Sequence, residues 1–136
     1  MLSRSDHATL IPIKKMNRAL KFYTDVLGGK LVMRGEGDMR DSWAAVNVGK
    51  ATFWLIEPEE HEKIELSYNV FVVKGIRRVV NGLEKKGARF LTAEQVGPGM
   101  KMDGPIAEEP WGAKSAFFKD SEGNLLMLWE QSGLGP

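Results

Sequence analysis

The sequence predicts an α+β protein made of two βαβββ modules in one chain, forming a cupped mixed sheet with the helices outside. Three observations lead there. An amphipathic helical pattern occurs twice, with equivalent positions 60 residues apart. Each copy follows a short apolar run and precedes a pair of such runs joined by turn residues. A charged stretch containing proline separates the copies.

The first module spans about residues 6–57. Its opening strand is the apolar run from Ala8 to Ile13. Met16, Ala19, Leu20, Tyr23 and Leu27 then fall at i, i+3, i+4, i+7 and i+11, one face of a helix that Gly28 and Gly29 end. KLVM (30–33) follows as a strand, and WAAVNVGKATFWLIE (43–57) gives two more that meet at Gly49-Lys50. EPEEHEKIE (57–65) is charged and carries Pro58, so residues 58–66 are expected to form a solvated linker.

The second module spans about 67–131. Tyr68 to Val73 is its first strand, rich in β-branched and aromatic residues. Ile76, Val79, Val80 and Leu83 repeat the helical offsets, and Gly87 ends that helix. Ile13 and Val73, Met16 and Ile76, and Arg18 and Arg78 are each 60 residues apart, so the arginines belong to the repeated architecture. VGPGMKMDGPIAEEPWG (96–112), rich in glycine and proline, is too long for a plain connector and is expected to be a functional loop or lid. KSAFFKDSEGNLLMLWE (114–130) closes the module as two strands meeting at the turn residues DSEGN.

Composition supports a single domain over 1–136. Apolar residues make up 43% and charged residues 27%, an ordinary globular balance. A net charge of +1 gives no electrostatic reason to expect a nucleic-acid or membrane partner. The absence of cysteine excludes thiol catalysis, disulfides and Cys-based zinc sites. No long apolar run marks a membrane span or leader, and the cytoplasm is the expected compartment. Walker, G-x-S-x-G and H-E-x-x-H motifs are missing, and the lone glycine pairs GEG (35–37) and GPG (97–99) are weak signals.

One helix covers only one face of a four-stranded sheet, so each module should keep a bare face. Strand alternation assigns to it Ala8, Leu10 and Pro12; Thr52, Trp54 and Ile56; Tyr68, Val70 and Val72; and Leu125, Met127 and Trp129. The alternating residues, among them Ile11, Ile13, Phe53, Leu55, Phe71, Val73, Leu126 and Leu128, should pack under the helices.

RALKFYTDVLGGKL (18–31) resembles the first-helix signature of the glyoxalase, bleomycin-resistance and extradiol dioxygenase superfamily, the vicinal oxygen chelate proteins. PWGAKSAFFKDSEGNLLML (110–128) resembles its C-terminal signature, a Trp-Gly followed by a strand, a D-P-D-G-N turn and a last strand. The resemblance runs from about Ala8 to Glu130. It implies paired βαβββ modules forming a cup, often as a homodimer. In the enzymes it also implies one divalent metal that binds two neighbouring substrate oxygens as a Lewis acid.

Carried onto this chain, the family's ligand positions fall on Ala8, Trp54, Tyr68 and Met127. A methyl, an indole, a phenol and a thioether are not the N and O donors such a metal needs. His7 lies one residue from the first position and faces the other way unless a bulge turns it. His61 belongs to the linker. Glu57 and Glu130 stand three residues beyond Trp54 and Met127, so they are expected to point away from the cup or into solvent as strand-end solubilising charges. Neither metal nor cofactor is therefore expected.

The expected function is metal-independent binding of a small aromatic or apolar molecule. Trp54, Tyr68, Met127 and Trp129 would form the site, with Trp43 and Trp111 at its rim, and a homodimer is expected. Two alternatives stay open. One is an enzyme: a lyase, isomerase or dioxygenase with a non-standard metal site that includes His7, or a metal-free enzyme in which Tyr68 donates a proton or hydrogen bond. The other is a dimerising module whose cup is filled by its own side chains.

Overall fold

The computed structural model describes residues 8–57, 69–96, 101–109 and 112–131. The chain divides into two compact units, Met1–Leu66 and Ser67–Pro136. Each holds its own sheet, with order β1-β4-β3-β2 in the first and β5-β9-β8-β7-β6 in the second. This is the α+β, two-module fold that the repeat predicts.

In the first unit, β1 (Thr9–Pro12) leads into α1 (Met16–Lys21), which continues as a π-helical turn over Phe22–Val26. The Thr24 hydroxyl donates to the Leu20 carbonyl at 2.8 Å, which draws that carbonyl away from the regular ladder where the helix widens. Chain reversal follows at Gly28, with φ at 76°. Then come β2 (Lys30–Arg34), β3 (Trp43–Val48) and β4 (Ala51–Ile56). β1 runs parallel to β4, and β2, β3 and β4 form an antiparallel meander.

The apolar stripe of α1 covers one face of this sheet. Met16, Ala19, Leu20, Phe22 and Tyr23 are buried with Ile11, Ala44, Val46, Phe53 and Leu55. The Tyr23 ring lies against Phe53 with centroids 5.6 Å apart. Alternation then leaves Trp54 on the uncovered face, 52% exposed between Phe53 at 2% and Leu55 at 0%.

The second unit repeats this plan. β5 (Asn69–Val72) pairs in parallel with β9 (Leu125–Gln131), and α2 (Ile76–Lys85) packs on β8 (Ala113–Lys119) and β9. The two registers correspond: Leu10 lies opposite Trp54 in the first sheet, and Val70 lies opposite Met127 in the second. Trp54 and Met127 are therefore equivalent positions. The DSEGN turn between β8 and β9 is held by Asp120. Its carboxylate accepts from the amides of Glu122 and Asn124 and from the Asn124 side chain, each at 2.8 Å.

Two sequence expectations need correction. The described part of 96–112 is not an irregular loop. It is a hairpin of β6 (Lys101–Asp103) and β7 (Ile106–Glu108) that extends the second sheet, with β7 paired to β8. Ile106 and Ala107 are buried there, so apolar burial and strand pairing outweigh the glycine-rich composition. The outer strand of this module is consequently built from two pieces. Phe90 bridges Phe118 and the Leu91 amide donates to Phe117 O, whereas β7 pairs farther along β8. Between them lie α3 (Ala93–Val96) and β6.

Glu130 is the second correction. It is not a solubilising strand end: its carboxylate accepts from the amides of Gly75 and Ile76, capping the N-terminus of α2. The start of α2 carries no acidic residue and its N-cap, Gly75, has no side chain, so an anion from the neighbouring strand satisfies donors the helix cannot.

Candidate functional site: an aromatic-walled cavity in the first module

The uncovered face of the first sheet lines a cavity of about 910 Å³. Its floor follows from strand register. Asn47 lies opposite Thr52, Ala45 opposite Trp54, and Trp43 opposite Ile56. All six line the cavity. Ala45 is the small member of its pair, so on the β3 side the Trp54 indole faces only a methyl group, with Leu10 on the β1 side.

One wall comes from β2, where the register slips between Leu31 and Met33. The bulge lets consecutive residues, Val32 and Met33, both reach the cavity. The facing rim is the loop from Gly35 to Ser42, which contributes Met39 from a 3₁₀ turn at Gly37–Met39. Two features hold this loop. A Cβ on Gly35 would lie 2.1 Å from the Met39 carbonyl oxygen, so only glycine permits the close approach. The half-buried Arg34 side chain donates to Arg40 O at 2.6 Å, to Asn17 Oδ1 at 2.9 Å and to Asp41 Oδ1 at 2.8 Å. Arg34 thus ties the loop to α1.

Polar groups occupy the two ends. At the hairpin end, the Thr52 hydroxyl donates to Asn47 Oδ1 at 2.8 Å. At the other end lie Ser42 and Glu57, joined through the Glu57 amide and Ser42 O at 2.9 Å. Glu57, expected to point away from the cup or into solvent, is exposed and also lines the cavity. Strict alternation ends with β4 at Ile56, so the two-residue period no longer governs the next side chain.

The second module has a smaller hollow of about 260 Å³ on the equivalent face, with Met127 and Phe117 on its floor. The insertion fills this region: Leu91, Gln95 and Val96, from α3 and the segment before it, form its wall.

Trp43 and Trp54, both predicted site residues, share the first cavity. Met127 lines the second, and the half-buried Trp129 lines neither. Tyr68, Trp111, His7 and His61 lie outside the described residues. Met33, Met39 and Glu57 were not predicted as site residues. The Leu31–Met33 bulge places Met33, the 3₁₀ turn at Gly37–Met39 places Met39 and the end of β4 places Glu57, and strand periodicity alone reveals none of these.

The divalent metal of the family's enzymes does not fit the described donor set. Among the described residues no three His, Cys, Asp or Glu side chains converge. Ala8, Trp54 and Met127, at three of the four implied ligand positions, offer no hard N or O donor.

Two tandem modules, each with a helix on one face of its own sheet and the first with an aromatic-walled cavity on the other face, define a duplicated α+β fold. The chain belongs to the Glyoxalase/Bleomycin resistance protein/Dioxygenase superfamily, whose family model matches residues 4–128. No curated protein sequence matches it. Solved structures share the fold at low identity. A lactoylglutathione lyase from Agrobacterium tumefaciens is 16% identical with a TM-score of 0.72, covering 98% of each chain. TnmS3, an antibiotic binding protein from Streptomyces sp. CB03234, is 19% identical with a TM-score of 0.69, covering 95% of this chain and 98% of that one. A superfamily member from Sphaerobacter thermophilus is 21% identical with a TM-score of 0.70, covering 96% and 100%.

Proposed function

We propose that this protein is a metal-independent binding protein that holds a small aromatic or apolar molecule against the open face of its first module. The observation behind this is the roughly 910 Å³ cavity containing Trp43 and Trp54. Its size and apolar, aromatic walls match those of sites for drug-sized molecules. Indole faces stack on planar ligands, and thioethers adapt to their shape. Trp54 occupies a position where the family's enzymes hold a metal ligand, so the residue that would bind the ion supplies a stacking surface. TnmS3, of the same fold, is an antibiotic binding protein.

The expected homodimer fits the exposed apolar side chains of β5, where Val72 is 79% exposed. Light scattering at micromolar concentration should give twice the 15.2 kDa chain mass. Among the described residues no helix is long and apolar enough to cross a membrane. A cytoplasmic location remains part of this proposal.

Tryptophan fluorescence against a panel of aromatic compounds tests the binding reading. At least one compound should quench saturably, and Trp54→Ala should weaken that binding about tenfold or more, the loss of one good stacking contact. Metal analysis of protein purified without chelators should find less than stoichiometric divalent ion. A full equivalent would sink the metal-independent reading.

A further inference from the structure

We infer that the ligand of the first-module cavity is a planar aromatic cation, and that Glu57 is its counter-ion. This deepens the binding reading above and rests on it. Among the described residues, Glu57 is the only ionisable one on the cavity lining, which holds no described lysine, arginine or histidine. An anionic ligand would meet an unopposed carboxylate, and a neutral one would leave it without use.

Position strengthens the inference. The carboxylate belongs to an exposed residue, and it forms no hydrogen bond or ion pair with the described residues. The nearby guanidinium of Arg34 is committed to Asp41, Asn17 and the Arg40 carbonyl. Glu57 follows Ile56, which lies opposite Trp43, and Glu57 and Trp43 line the same cavity. Indole faces attract cations through the ring quadrupole, and a carboxylate beside one reinforces the same preference. Three residues of extended chain separate Glu57 from Trp54, about 10 Å along the strand. A fused two- or three-ring system stacked on Trp54 spans that distance and brings a ring or side-arm nitrogen to Trp43 and Glu57.

The test uses an isosteric pair, N-methylquinolinium and neutral 1-methylnaphthalene, with binding measured by equilibrium dialysis. Wild-type protein should prefer the cation by about 5- to 20-fold, the scale of a cation–π contact assisted by a partly solvated charge. Glu57→Gln should bring the two affinities to within about threefold of each other without changing that for 1-methylnaphthalene, and Glu57→Lys should reverse the preference. The exposed position makes both variants compatible with folding, which circular dichroism checks. Equal wild-type affinities, or a preference that survives Glu57→Gln, would overturn the cation inference and leave the binding reading standing. If neither probe binds up to its solubility limit, both fall.

Discussion

The two modules were built to one plan and differ in what they do with the same bare sheet face. Equivalent registers place Trp54 in one and Met127 in the other at corresponding positions. In the first module a short loop leaves that face open, and the cavity measures about 910 Å³. In the second, the outer strand is interrupted after Phe90, and the wall built by Leu91 and α3 leaves only about 260 Å³. The glutamate three residues beyond Trp54 or Met127 diverges as well. Glu130 caps α2, whereas Glu57 is left at a cavity mouth. Duplication supplies two sheets and two carboxylates, and the insertion and the helix start decide which are structural and which are free to meet a ligand.

Core and cavity faces should separate most sharply under mutation of adjacent residues. Phe53→Ala removes a 2% exposed ring packed on Tyr23 and should cost about 3–5 kcal/mol in urea unfolding. Trp54→Ala, one residue later, should change stability by no more than about 0.5 kcal/mol while weakening ligand binding about tenfold or more. Comparable losses for the two would show that the first module has no free face.

The rim comes next in size. Gly35→Ala drives a methyl into the Met39 carbonyl and should destabilise by about 1–3 kcal/mol, weakening binding as the loop shifts. Normal stability and affinity would mean that the loop does not shape the cavity. The smallest expected effect concerns the paired carboxylates. Glu130→Gln should cost about 1 kcal/mol through the α2 cap, and Glu57→Gln should leave the melting temperature unchanged.

Much of the shared plan was legible in the sequence, but the contrast between the modules was not. The 60-residue repeat placed both helices and their flanking strands because apolar periodicity follows directly from which face is buried. Alternation put Trp54 on the open face for the same reason. Other features were less legible. Bulges such as that at Leu31–Met33 break the two-residue period without a distinctive residue type, and so conceal Met33. Glycine and proline in 96–112 suggested a loop, yet Ile106 and Ala107 supply enough burial to extend a sheet. Glu57 and Glu130 look identical as strand ends. Only long-range placement, a helix start within reach of one and a cavity beside the other, distinguishes them.

Nuclear magnetic resonance of the indole N–H groups tests the central claim most directly. The four tryptophans can be assigned by single Trp→Phe substitutions, and the protein titrated with a ligand found by fluorescence. The resonances of Trp43 and Trp54 should shift together and saturate at one ligand per chain. If both stay in place while binding saturates, the ligand does not lie on the open face of the first module.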